Sequence, residues 1–101
     1  MTIGADLQQE WASHKRTRMP RDCEGQEVEE IDLLVLDADA NACMSDWFAT
    51  SGAMDEERWL LLEQCAAQIH QVLPSLSGEA TAYFERLAKV CARVLAQRGG
   101  A

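Results

Sequence analysis

The 101-residue sequence predicts an all-α fold, a small antiparallel bundle of about four helices with a central acidic helix. Three observations carry this expectation. Apolar residues recur at three- and four-residue spacing through most of the chain, the period of a helix with one buried face. Few breakers interrupt the middle, and Pro20, Gly25, Gly52, Pro74 and Gly78 divide it into segments. The links near 50–54 and 74–77 are short, and short links between long helices favour antiparallel neighbours. Hydrophobic residues make up 48% of the chain, enough to bury a core. Residues 1–101 therefore read as a single helical domain, with a loop over 15–26 and a flexible tail over 99–101.

From Thr2 to Arg16, Ile3, Leu7 and Trp11 recur every four residues and His14 follows three later, the narrow stripe of a short helix. Residues 15–26, KRTRMPRDCEGQ, have no period and contain Pro20 and Gly25, so they read as a loop. The stretch from Glu29 to Phe48 is the ambiguous one. Ile31 to Leu36 alone would suit a buried strand, but small and apolar residues continue to Ala49, too far for one strand, so a helix is expected, with a strand followed by a helix as the alternative. On a helix, Ile31, Leu34, Val35, Ala38, Ala42 and Ala49 share one face, and Leu33, Leu36, Ala40, Cys43, Met44 and Trp47 share the opposite one. Asp32, Asp39 and Asp46 form a seam between them. A helix apolar on two sides must be covered on two sides, so it is either central or gives one face to a partner.

The next helix opens near Asp55, with Asp55, Glu56 and Glu57 suited to its positive end. Its core face carries Leu61, Leu62, Cys65, Ala66, Ile69, Val72 and Leu73, with Trp59 at the border, and Pro74 ends it. Ser77 is a suitable N-cap for the last helix, whose inner side carries Tyr83, Phe84, Leu87, Val90, Cys91, Val94 and Leu95. Arg93 and Arg98 suit its negative end, and Gly99 its stop.

Charge is distributed unevenly. Residues 22–57 hold twelve acids and no lysine or arginine, whereas the segments before and after are each net +2, giving −8 for the chain. That balance disfavours nucleic acid and anionic membranes as partners. The acidic block reads in two ways. It is a solvated surface paired internally with Arg86, Lys89 and Arg93, or it is a face that docks on a basic protein or mimics nucleic acid phosphate.

Chemistry-bearing motifs are sparse. Cys23, Cys43, Cys65 and Cys91 form no CxxC pair and stand in no zinc spacing with His14 or His70. Cys43, Cys65 and Cys91 read as small buried hydrophobes. Cys23, between Asp22 and Glu24, is a poor nucleophile because its neighbours disfavour the thiolate. The run Asp37-Ala38-Asp39-Ala40-Asn41 is similar to the opening of an EF-hand loop, but Ala42 and Phe48 stand where glycine and a bidentate glutamate are required. LLVLDAD also resembles the strand-borne carboxylates of sugar transferases and dehalogenase-type phosphatases, chemistries that need a larger sheet than this chain offers. The basic patch 15–21 lacks interleaved aromatics, and it reads as a loop folding back on the acidic face.

The leading expectation is a small helical interaction module of inhibitor, immunity, antitoxin or adaptor type, acting by occlusion or scaffolding without catalysis, cofactor or metal. Asp32, Leu36, Asp39, Met44, Asp46, Trp47 and Trp59 are the expected partner-binding residues, tryptophan being enriched in interface hot spots. The partner is a basic protein or a second copy in a homodimer. A ligand- or metal-binding sensor using Asp32, Asp39 and Asp46 is the alternative, and a small enzyme the third. Neither an 18-residue apolar run nor a basic-then-apolar leader is visible, so a cytoplasmic location is expected.

Overall fold

A computed structural model describes residues 3–98. The chain is predominantly helical, with four α-helices and one minimal two-stranded sheet. Helix α1 spans Ala5–Arg16, and a single 3-10 turn follows at Arg21–Cys23. Strands β1 (Glu27–Val28) and β2 (Ile31–Asp32) pair antiparallel, with Val28 opposite Ile31. Helix α2 spans Leu33–Ala49, α3 spans Glu56–Val72 and α4 spans Gly78–Leu95, with a second 3-10 turn at Leu73–Ser75. No helix among the described residues is long and apolar enough to cross a membrane. The tail expected over 99–101 lies outside the described residues.

Helices α1, α3 and α4 follow their apolar stripes. Leu7, Trp11 and His14 are buried on α1, whose Asp6 stands in the first turn and Lys15 and Arg16 in the last, in line with the helix dipole. Asp55 caps α3 by accepting a 2.9 Å bond from the Arg58 backbone N–H. Pro74 falls in the 3-10 turn that ends it. Ser77 holds the N-cap position of α4 but makes no side-chain capping bond.

The third stretch departs from the expected single rod. The helix starts at Leu33, four residues later than the sequence suggests, and a short hairpin precedes it. Two features impose this. Glu29 and Glu30 have φ of 51° and 70°, the left-handed pair that a two-residue hairpin loop requires and a helix forbids. Asp32 then turns its carboxylate onto the new helix, accepting from the N–H groups of Leu34 (2.9 Å) and Val35 (3.2 Å). At the other end, Ser51 adopts φ of 53°, Ser51 N–H reaches Phe48 C=O and Gly52 N–H reaches Trp47 C=O at 2.9 Å. This closed pair of bonds satisfies the last carbonyls of α2 and turns the chain toward α3.

The core lies among α2, α3 and α4, with Leu33, Met44, Trp47, Leu62, Ile69, Phe84 and Leu87 almost wholly buried. Aromatic contacts fasten α1 to this core. Trp11 stacks on Phe48 with ring centroids 5.3 Å apart, and Trp47 meets Phe48 edge-on at 5.0 Å. Lys89 (3.3 Å) and Arg93 (2.8 Å) both pair with Glu10, tying α4 to α1. Arg98 pairs with Glu63 at 2.6 Å and with Glu56, tying the end of α4 to α3.

Candidate functional site

Helix α2 is the element the sequence singled out, and its two apolar faces have different fates. Leu33, Leu36, Ala40, Cys43, Met44 and Trp47 point into the core. Leu36, Met44 and Trp47 were expected to meet a partner, but they are unavailable, because α3 and α4 already cover them. Trp59 is buried as well, with the Arg98 guanidinium over its ring at 5.7 Å. The face that reaches solvent is the other one. Leu34 and Val35 are 48% and 54% exposed, and Ala38, Ala42, Ser45 and Ala49 continue the exposed line. Val35, Ala38, Ala42, Ser45 and Ala49 alternate steps of three and four, the spacing by which one helix seats another. Small side chains on that seam allow close backbone approach.

The acids frame this line. Asp39 and Asp46 sit half-buried along its α3-facing side. Asp39 and Ala42 share a groove with Asp55, Glu57, Arg58 and Leu61 of the α3 N-terminus. Among the described residues, Glu56 is the one acid of the 22–57 block in an ion pair. Lys89 and Arg93 were expected to neutralise that block, but they are engaged by Glu10 instead. Among the described residues, Asp39 and Asp46 beside the exposed apolar line make no ion pair, although Arg58 shares the groove of Asp39 and reaches the Ala42 carbonyl.

The expected residues thus separate into three groups. Asp39 and Asp46 flank the exposed face. Asp32 is committed to capping α2. Leu36, Met44, Trp47 and Trp59 are core. Asp32, Asp39 and Asp46 also stand seven residues apart, roughly 10 Å per interval along a helix, too far for one ion to bridge. Among the described residues no group of three or more histidine, cysteine or acidic side chains is placed to hold a metal.

The cysteines are all buried and free. Burial pushes every one of these thiols up, Cys65 and Cys91 to about 12, with the neighbouring core thiols adding to the effect. Thiols in that state are inert as nucleophiles. Cys23 is fully buried rather than a loop residue in water, and burial raises its pKa more than Asp22 does.

The sequence also placed His14 on a stripe without anticipating its depth. It is buried between Trp11, at 6.2 Å, and Tyr83, at 5.0 Å. Burial lowers its pKa most, and Asp37 opposes that shift in part. The signal for burial was in the spacing, since His14 follows Leu7 and Trp11 at i+7 and i+3.

No family model, curated protein or solved structure matches the chain.

Proposed function

We propose that the chain is an acidic helical docking module whose outer α2 face receives a basic amphipathic helix of another protein. The observation that carries this reading is the half-exposed Leu34–Val35 pair, continued by Ala38 and Ala42 and bordered by Asp39 and Asp46, which make no ion pair among the described residues. The apolar seam supplies burial, and the acids select a basic occupant and speed its encounter. Two copies joined symmetrically through this face would set the acidic margins against each other, so a foreign basic partner fits better than a homodimer. In this reading α2 is the acidic, central helix of an antiparallel bundle, a view supported by the short links on both sides of α3. The mechanism is occlusion or scaffolding, without bond chemistry. Free buried thiols favour a reducing compartment such as the cytoplasm.

The test is NMR titration with a synthetic helical peptide of leucine and lysine in heptad register. Amide shifts are expected to concentrate at Leu34, Val35, Ala38 and Ala42, with affinity falling as salt rises. Val35→Lys should abolish them while leaving the fold intact. Shifts spread evenly over every acidic surface, or indifference to Val35→Lys, would overturn the proposal. So would concentration-dependent dimerisation of the chain that Val35→Lys abolishes, which gives the face to a second copy.

A further inference from the structure

Helix α1 is the least anchored of the four helices. Leu7, Trp11 and His14 are its three buried residues, against five or six on each of the others. It rests on Phe48 of α2 and on α4 through one narrow stripe, and Glu10 reaches Lys89 and Arg93 from the edge of that stripe. The core among α2, α3 and α4 does not need α1 to hold together. A helix held by so few buried side chains opens at a lower free energy than the body beneath it.

The last residue of the stripe is ionisable. His14 is 2% exposed, both its ring nitrogens are closed off from water, and Trp11 and Tyr83 pack against the ring. Water therefore brings a proton to the imidazole only when α1 lifts. The groups that face the ring do not favour the charged form in the docked state. Burial weighs most and keeps the ring neutral. From α2, Asp37 favours an imidazolium, but its Oδ1 already accepts from Tyr83 and Asn41. Asn41 is the ring's hydrogen-bonding neighbour and brings no charge. From α4, Arg86 opposes protonation and Lys89 lines the same cleft. On α1 itself, Glu10 is matched by Lys89 and Arg93, and Lys15 lies over the Trp11 ring. Arg18 of the following loop adds a further cation beside Tyr83 and Arg86.

We propose that α1 is a detachable cover, released from α2 and α4 when His14 takes up a proton in mild acid. In the lifted state the imidazole stands in water and protonates near about pH 6.5. The charged ring then resists return to a dry site beside Arg86. Release uncovers Phe48, Tyr83 and Val90 and frees Lys89 and Arg93 from Glu10. An apolar and basic surface appears on α4, opposite in sign to the outer face of α2.

Amide hydrogen exchange, read residue by residue at about pH 7.5 and pH 5 and corrected for intrinsic rates, tests this. The Trp11 and Lys15 amides are expected to exchange well ahead of those of Leu62 and Ile69. Their exchange should depend little on dilute urea, the mark of an opening that exposes little surface. Between the two pH values it should gain about 10- to 30-fold, the ratio set by a histidine that protonates near pH 6.5 in the open state alone. His14→Phe keeps an aromatic ring on the stripe and should remove that gain. Glu10→Gln loosens α1 without touching the ring, so exchange should rise roughly two- to fivefold at both pH values and keep the gain between them. Equal protection of α1 and α3 with the same urea dependence would overturn the proposal, because α1 then leaves only with global unfolding. A gain that survives His14→Phe would remove His14 as the trigger. In the unaltered chain, His14 ring resonances that titrate near pH 6.5 while α1 stays protected would also defeat it, since the docked ring then accepts the proton without release.

Discussion

Tyr83 donates a 2.7 Å hydrogen bond to Oδ1 of Asp37, joining α4 to α2 across 46 residues of sequence. The same carboxylate oxygen accepts a 2.9 Å bond from Asn41 Nδ2. Burial, with the bond to Asp37 and its charge, raises the Tyr83 pKa, so the phenol stays a donor. Asp37 is therefore a fastening residue, not one of several oxygens waiting for an ion. Tyr83→Phe should cost about 1.5–3 kcal/mol, the range for a bond to a charged group. Urea denaturation measures it, and an unchanged midpoint would show that water replaces the phenol without loss.

The two faces of α2 make a paired prediction. Leu36→Ala should destabilise by about 2–5 kcal/mol, because it opens a cavity where the side chain is buried. Val35→Ala, one residue away and half-exposed, should change stability by less than about 0.5 kcal/mol. The pair is read by thermal unfolding, and comparable losses would mean that the outer face is covered in the isolated chain.

That contrast also shows where sequence reasoning fails. The stripes on α1, α3 and α4 are legible because each has one apolar face and one polar one. On α2 both faces are apolar, so periodicity predicts a helix and is silent about which side faces in. Side-chain volume held the missing signal. Leu33, Leu36, Met44 and Trp47 fill the core, whereas the exposed seam is mostly alanine. Large side chains bury more area per position, so the bulkier face wins the interior.

The start of α2 was hidden by a different ambiguity. Asp32 looks like one acid of a regular seam, yet it is the capping acid that precedes the helix. Asp32→Ala should cost about 1 kcal/mol through loss of its bonds to the Leu34 and Val35 N–H groups. Glu30, at φ of 70°, should respond in the opposite sense. Glu30→Gly removes a left-handed penalty of about 1–2 kcal/mol and gives back part of it in unfolded-chain entropy, for a net gain of about 1 kcal/mol or less. Chemical denaturation of both variants checks the pair. Destabilisation by Glu30→Gly would show that the side chain, rather than the backbone, sets that turn.

The depth of His14 makes stability sensitive to mild acid. Burial is the main cause that lowers its pKa in the folded chain, and Arg86 adds to it, while Asp37 and Asn41 oppose it. The unfolded chain takes up this proton near pH 6.5, and the folded chain resists it to lower pH. Between those two values the unfolded state binds more protons, so stability must fall as pH falls. Glu10 acts in a lower window. Burial raises its pKa, but Arg93 and Lys89 outweigh that and hold it below the ordinary carboxylate value. Its contribution is complete above the unfolded carboxylate range and is lost as pH drops through the folded value. Between about pH 6.5 and 5 the slope therefore isolates the histidine. Tm should decline across that interval for the unaltered chain. His14→Phe keeps a ring against Trp11 but removes the titrating nitrogens, and its Tm should be flatter there. If both chains decline equally, the Asp37 carboxylate compensates His14 protonation within the fold, and burial does not govern the imidazole.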